Sequence, residues 1–218
     1  MNEEIEAIVF DAGGVLIYIN EFRDSILKRV LLSKGYSNEK VDSALLAAKL
    51  FDREYFSQNI IVSWEDEKQW LLKRANILSS SITTSSTLAD QLYHLAFDTF
   101  QYRLYEDSIA VLDSLVGKYR LFILSNASAS LDWSFDYLGI RQYFDDIVIS
   151  SYERCEKPSL KIFERSICRF NIDPRRSLFI DDKVENVIAA KECGLQGLHL
   201  QRSLGDTLLL LPQYLGLK

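Results

Sequence analysis

Cysteine, proline, methionine and histidine are all scarce in this chain of 218 residues, which holds three, three, one and two of them. The cysteines, Cys155, Cys168 and Cys193, are scattered and odd in number, with no CxxC and no histidine at ligand spacing. That excludes a disulfide framework and a zinc site, and points to a reducing, cytoplasmic home. His94 and His199 stand far apart and are given no part in the chemistry. No basic start runs into an apolar segment as in a signal peptide, and no apolar stretch approaches the length of a membrane span. The most apolar tail segment, Leu208 to Leu211 before Pro212, is far too short. No lysine or arginine block exists, and 31 acidic against 25 basic residues give a net charge of -6. Nucleic acid and membrane are therefore not expected as partners. Small anionic substrates stay open, because a local cation or metal overrules a modest global charge.

What is present is a large apolar fraction, 48% of the residues. The length fits one domain with an insert, or two small domains, and a sizeable core. The stretch Ala7-Ile8-Val9-Phe10-Asp11-Ala12-Gly13-Gly14-Val15-Leu16 reads as a buried strand, a carboxylate and a tight turn. In open α/β sheets ligands lie beyond the carboxyl ends of such strands, so Asp11 is the leading candidate for chemistry. Asp and Gly also punctuate turns that have no function. Three later segments, carrying the other groups that a nucleophile or metal ligand needs, weigh against that reading.

From about Glu21 to Tyr105 the apolar spacing is helical. One helix is expected from Phe22 to Leu32, stopping at Gly35, and another from Asn38 to about Phe51. Ser63, with Asp66 three residues on, caps a third in a capping-box-like pattern, and Trp64 and Trp70 mark its packed face. The polar run from Ser79 to Ser86 reads as a connection into a fourth helix reaching about Phe100. Arg53, Glu54, Tyr55 and Trp64 are candidates for a substrate-facing surface, although aromatic residues at this spacing more often pack a core. From Glu106 onward helices and strands alternate. Helices are expected at Ser108–Val116, Leu131–Leu138, Leu160–Phe170 and Val184–Cys193. Strands are expected at Tyr119–Leu124, Asp146–Ile149, Leu178–Ile180 and Gly197–Leu200. Alternation of this kind means a parallel, doubly wound sheet that the first strand joins. The expected organisation is thus a core of residues 1–18 and 104–218 with an all-helical cap inserted at 19–103.

Ser125 and Asn126 end the strand Arg120-Leu121-Phe122-Ile123-Leu124, where the hydroxyl could donate to a phosphoryl oxygen or cap a helix. Lys157 precedes a proline that opens a helix, which would hold a cation near a helix N-terminus. Asp181 and Asp182 follow the strand Leu178-Phe179-Ile180 and suit a hard divalent ion such as Mg2+, or else start an acidic helix.

These four segments, in this order and each at a strand end, resemble the haloacid dehalogenase superfamily of phosphatases and related hydrolases across essentially the whole chain. The resemblance implies a Rossmann-like core, a helical cap inserted after the first motif, and magnesium-dependent attack by an aspartate. By position, Asp11 resembles the nucleophile that becomes an aspartyl-phosphate, Ser125 the phosphate-binding hydroxyl with Asn126 beside it, and Lys157 the stabilising lysine. Asp182 resembles the direct metal ligand, with Asp181 next to it and Asn186 in support, while the Gly13 carbonyl completes the protein's metal shell. The implied substrate is a small phosphorylated metabolite such as a sugar phosphate, turned over by a monomer or homodimer.

Family phosphatases carry a second aspartate two positions after the nucleophile, to protonate the leaving oxygen and later activate water. This chain has Gly13 there. General acid and base catalysis contributes about 100- to 10,000-fold, or roughly 3 to 5 kcal/mol. Phosphoryl transfer leans mainly on positioning and charge neutralisation, so good leaving groups such as an anomeric or aryl phosphate need little of it. Two alternatives remain open. Dehalogenases of the superfamily also lack the second aspartate and often read Phe-Asp-Ala, yet tend to have tyrosine in place of Gly13 and no paired acids. A non-catalytic member that binds a phosphorylated ligand or a protein is the other.

Overall fold

Every residue of the first strand, Ala7–Phe10 (β1), is buried, because apolar and small side chains alternate onto two covered faces of a sheet. The computed structural model describes residues 4–83, 86–98 and 102–216. After β1 come the strand Ile17–Ile19 (β2) and the helices Arg23–Ser33 (α1), Asn38–Gln58 (α2), Trp64–Ile82 (α3) and Ser86–Asp98 (α4). The chain continues through Tyr102–Leu104 (β3), Ser108–Leu115 (α5), Arg120–Ser125 (β4), Leu131–Tyr137 (α6) and Asp146–Ile149 (β5). It ends with Ser150–Glu153 (α7), Leu160–Phe170 (α8), Ser177–Asp181 (β6), Val184–Glu192 (α9), Gln196–His199 (β7) and Leu211–Tyr214 (α10). Two compact units result, one of residues 1–18 with 102–218 and one of residues 19–101.

In the first unit the five-stranded sheet has the order β5-β4-β1-β6-β7, all neighbours parallel. Phe10 is in register with Ile123 of β4 and Ile180 of β6. Alternate residues feed two separate cores. Ile8, Phe10, Leu121, Ile123, Leu178 and Ile180 pack with α5 and α6 on one face. Val9, Phe122, Leu124 and Phe179 pack with α8 and α9 on the other. There Phe122 stacks on Phe170 at 4.4 Å and Phe163 meets Phe179 edge-on at 5.2 Å. Each such pair adds about 1 kcal/mol beyond its burial. Burial on both faces is what a parallel sheet requires, so the expected doubly wound α/β architecture is the observed one.

The helical unit has its own core, built from Leu27, Leu31, Val41, Leu45, Trp70, Leu71 and Leu78 among others. Buried Arg74 of α3 reaches Asp24 of α1 at 2.7 Å and Asp52 of α2 at 2.9 Å, tying three helices together. The capping box forms, with Ser63 Oγ accepting from the Asp66 amide and donating to Asp66 Oδ2. Tyr55 packs against this core, whereas Arg53 and Glu54 are exposed.

Some expectations fail. The run at Ser79 is not a connection, because Leu78, Ser79 and Ile82 are buried and packing carries α3 through the serines to Ile82. Thr84 and Ser85 of that run, and Phe100 at the expected end of the fourth helix, lie outside the described residues. Helix α2 runs past Phe51 to Gln58. Tyr102–Leu104, read as helical, pairs with β2 in a two-stranded sheet. Among the described residues no helix is long and apolar enough to cross a membrane.

Candidate active site

The chain winds outward from β1 to β4 and β5 on one side, then to β6 and β7 on the other. The carboxyl end of β1 is therefore the place where the winding reverses, and the crevice beyond such a point is where ligands bind. Asp11 sits there, its amide continuing the ladder to the Ile180 carbonyl at 2.8 Å. Ser125 ends β4 on one flank, and on the other Asp181 ends β6 with Asp182 directly after it.

Lys157 joins these ends. Its Nζ lies 3.0 Å from Asp11 Oδ1 and 2.7 Å from Asp181 Oδ2, and donates to the Leu124 carbonyl at 2.8 Å. Two hydrogen bonds and the ion pair to Asp11 thus hold the ammonium, on a side chain with no solvent exposure. Asp11 Oδ1 also accepts from the Ala12 amide at 2.7 Å, which fixes the carboxylate.

Three carboxylates surround this one cation. Asp11, Asp181 and Asp182 each offer an oxygen within 4.8 Å of the others. Burial pushes the Asp11 carboxyl above its ordinary value, with Lys157 opposing and Asp181 adding to the shift. Asp182 is raised too, by burial and then by the charge of Asp181. A divalent cation would relieve both penalties, and one atom is suited to it. Asp182 Oδ1 is buried and finds no hydrogen-bond partner among the described residues. Leaving a buried acceptor unpaired costs about 1–3 kcal/mol, more for a charged one, and a cation ligand relieves it. The donor set is all oxygen, as Mg2+ prefers.

Asp181, expected next to the direct metal ligand, lies there and accepts hydrogen bonds on both oxygens. Its Oδ1 accepts from the Lys183 amide and Asn186 Nδ2, and its Oδ2 from Lys157 and Asn186 Nδ2. Four bonds hold Asp181, so it orders Lys157 and the turn while staying in the carboxylate cluster that could hold a metal. Asn126, expected beside the phosphate-binding hydroxyl, spends its amide on the backbone of Lys157, donating to the carbonyl at 2.8 Å and accepting from the N–H at 2.9 Å. Neither bond has a signature in local sequence, since the partners are far apart along the chain. His199 was missed as well. Its Nε2 lies 3.0 Å from the Asp182 carbonyl oxygen, and only the pairing of β7 with β6 reveals it.

Residues 5–194 match the haloacid dehalogenase-like hydrolase family. The chain belongs to that family. A stretch of 61 residues is 43% identical to a sesquiterpene phosphatase of Aspergillus oryzae, covering 28% of this chain and 31% of that protein. Another of 107 residues is 30% identical to a glyceraldehyde 3-phosphate phosphatase of Methanothermobacter thermautotrophicus, covering 48% and 47%. The chain thus spans less than half the length of either relative. Among solved structures it is similar to a HAD phosphatase from Thermococcus onnurineus, with a TM-score of 0.64 at 20% identity over 97% of this chain and 98% of that one. It is similar to a 2-haloacid dehalogenase from Pseudomonas syringae as well, with a TM-score of 0.69 at 16% identity over 97% and 98%. At such identities the likeness concerns the fold alone.

As a haloacid dehalogenase-like hydrolase, the chain departs from the expected pattern at Gly13. A Cβ there would meet nothing within 4 Å, and its φ lies outside the left-handed region. Neither space nor backbone strain requires glycine at that position.

Proposed function

We propose that this protein is a magnesium-dependent phosphatase of small phosphomonoesters that works through an aspartyl-phosphate on Asp11. The observation that carries this reading is the pairing of Asp11 with Lys157 beside the unpartnered oxygen of Asp182. Asp11, Asp182 and the Gly13 carbonyl would hold Mg2+, with Asp181 behind them on Lys157. When bound, the ion supplies charge neutralisation to the phosphoryl group and screens it from the carboxylates. In this reading Asp11 attacks phosphorus in line with the ester oxygen. The bond from phosphorus to that oxygen breaks, and the oxygen leaves with the electron pair. Water then attacks phosphorus, the bond from phosphorus to the Asp11 oxygen breaks with its electron pair returning to the carboxylate, and one water proton passes through solvent to the departed ester oxygen, leaving alcohol and phosphate. Lys157, fixed by the Leu124 carbonyl, opposes the burial that raises the Asp11 carboxyl and aims it, and the Ser125 hydroxyl donates to a phosphoryl oxygen.

Because residue 13 offers no carboxyl, nothing at that position protonates the leaving oxygen, and the reading favours esters with good leaving groups. Anomeric sugar phosphates and aryl phosphates are the substrate class. The named phosphatase relatives act on small phosphorylated compounds, which supports the ester class without fixing the molecule. The helical unit takes the role of a cap that selects the substrate. The unpartnered oxygen of Asp182, beside the carboxylates of Asp11 and Asp181, weighs against metal-free dehalogenation.

The test is phosphate release from sugar phosphates, nucleotides and an aryl phosphate, with Mg2+ or with chelator. Magnesium-dependent release from at least one ester is the expected result. Silence across the panel overturns it. Chloride release from a 2-haloacid without metal would then move the assignment to dehalogenase, and thermal stabilisation by an ester without turnover to a binding protein.

A further inference from the structure

Lys157 lies in the segment between α7 and α8, which belongs to no strand ladder and no helix. The residue is 3% exposed, so its own backbone N–H and C=O need protein partners. Asn126 provides both. Its Oδ1 accepts from the Lys157 N–H at 2.9 Å while its Nδ2 donates to the Lys157 carbonyl at 2.8 Å. A primary amide facing one residue this way imitates a strand neighbour, supplying acceptor and donor to the same peptide pair.

We infer that Asn126 is a positioning residue, which sets the height and direction of the Lys157 ammonium between Asp11 and Asp181. The chain of contacts is continuous. Asn126 directly follows Ser125 at the end of β4, and the Leu124 carbonyl two residues before it accepts from Lys157 Nζ. Backbone and side-chain tip of Lys157 are thereby both referred to the last residues of β4, the strand adjacent to β1 and Asp11. A lysine has four rotatable bonds between these two anchors, and losing the backbone anchor lets Nζ drift by the ångström or so that matters for charge placement. Other residues cannot do the same. Aspartate keeps an acceptor for the N–H but turns an oxygen toward the Lys157 carbonyl, alanine supplies neither bond, and glutamine is one methylene too long.

The kinetic part of this inference rests on the phosphatase reading, and the structural part does not. The experiment compares wild type, Asn126→Ala, Asn126→Asp and, as a control, Gln142→Ala, which removes a comparable amide bond to the Gly139 carbonyl outside the site. Three quantities are measured: hydrogen exchange at the Lys157 amide, the 15N signal of its ammonium, and kcat and KM for para-nitrophenyl phosphate with Mg2+. Asn126→Ala should exchange the amide at least about tenfold faster, shift the ammonium signal, and lower kcat about 10- to 100-fold with KM little changed, the range expected of a small misplacement. Asn126→Asp should keep the amide protected and fall between the two in kcat. Gln142→Ala should match wild type in all three.

An unchanged ammonium signal in Asn126→Ala, or an equal kcat loss in Gln142→Ala, overturns the inference. Should Asn126→Ala fail to fold, Asn126→Asp decides, because loss of Lys157 amide protection there contradicts the clamp. Should wild type hydrolyse no ester, the phosphatase reading fails, while the exchange and ammonium signals still decide the role of Asn126.

Discussion

Gly14 packs its bare Cα against the carboxylate of Asp182, so that a Cβ built on it would lie 2.4 Å from Asp182 Oδ2. The same glycine has φ +75, in the region where side chains are strained. Two demands on one residue, a left-handed turn and a close approach, bring the loop after Asp11 up to the end of β6. Gly14→Ala should therefore push Asp182 aside and raise the Mg2+ concentration for half-maximal activity by about tenfold or more, with a strain cost of about 1–2 kcal/mol. Magnesium titration beside a denaturant melt separates the two effects. An unchanged magnesium requirement would dissociate Gly14 from Asp182.

Gly13 makes a contrasting case, since its Cβ direction is open and its φ ordinary. Gly13→Asp should fold like wild type and supply the missing acid. The expected outcome is a rise in kcat/KM for an alkyl phosphate relative to an aryl phosphate, toward the roughly 100-fold that a positioned acid contributes. A ratio identical to wild type would mean that protonation is not what limits the leaving group.

Which of these relationships the sequence disclosed follows from how local each one is. Asp11, Lys157 and the Asp181-Asp182 pair stand at ends of apolar runs or before a proline, and those positions are visible from neighbouring residues alone. The alternation after Glu106 likewise specified a parallel sheet, because β4 and β6 are buried on both faces and so read as continuous apolar runs. The clamp of Asn126 on Lys157 and the contact of His199 with the Asp182 carbonyl depend on strand pairing between distant segments. Strands β2 and β3 are three residues each, too short for a period to show. At Ser79 a polar composition misled, because burial of Leu78 and Ile82 outweighs the weak helix propensity of serine.

Without a bound cation the site carries an excess of negative charge. Asp182 titrates above its ordinary 3.8 because burial and then Asp181 disfavour its charge. A raised carboxyl means that the folded state holds its proton more tightly, so stability is fullest below the ordinary value and declines as pH rises through the shifted one. At neutral pH in chelator, Asp182→Asn should then melt at or above the wild-type temperature, while the stabilisation of wild type by Mg2+ should largely disappear in the variant. Thermal melts with and without the ion check both halves. A chelated variant that melts clearly below wild type would contradict the charge-excess reading.

Asp107 shows the opposite sign. Burial raises it, but Arg202 at 2.6 Å, Thr207 Oγ1 at 2.6 Å and the Leu208 amide at 2.8 Å together hold it below its ordinary 3.8. These bonds fasten the segment after β7 to the start of α5, and they are fully effective above pH 3.8 and lost as pH falls through the lowered value. Asp107→Asn should cost about 2 kcal/mol at neutral pH and flatten the acid limb of the stability curve. Urea melts at several pH values give both quantities, and parallel acid limbs in variant and wild type would rule this role out.

The most direct measurement is mass spectrometry of enzyme quenched in acid during turnover of an aryl phosphate with Mg2+, in wild type and Asp11→Asn. A phosphoryl group on the peptide carrying Asp11 in wild type, with neither adduct nor phosphate release in the variant, is the predicted result. Sustained phosphate release by Asp11→Asn, or an adduct on a different residue, would contradict Asp11 as the nucleophile.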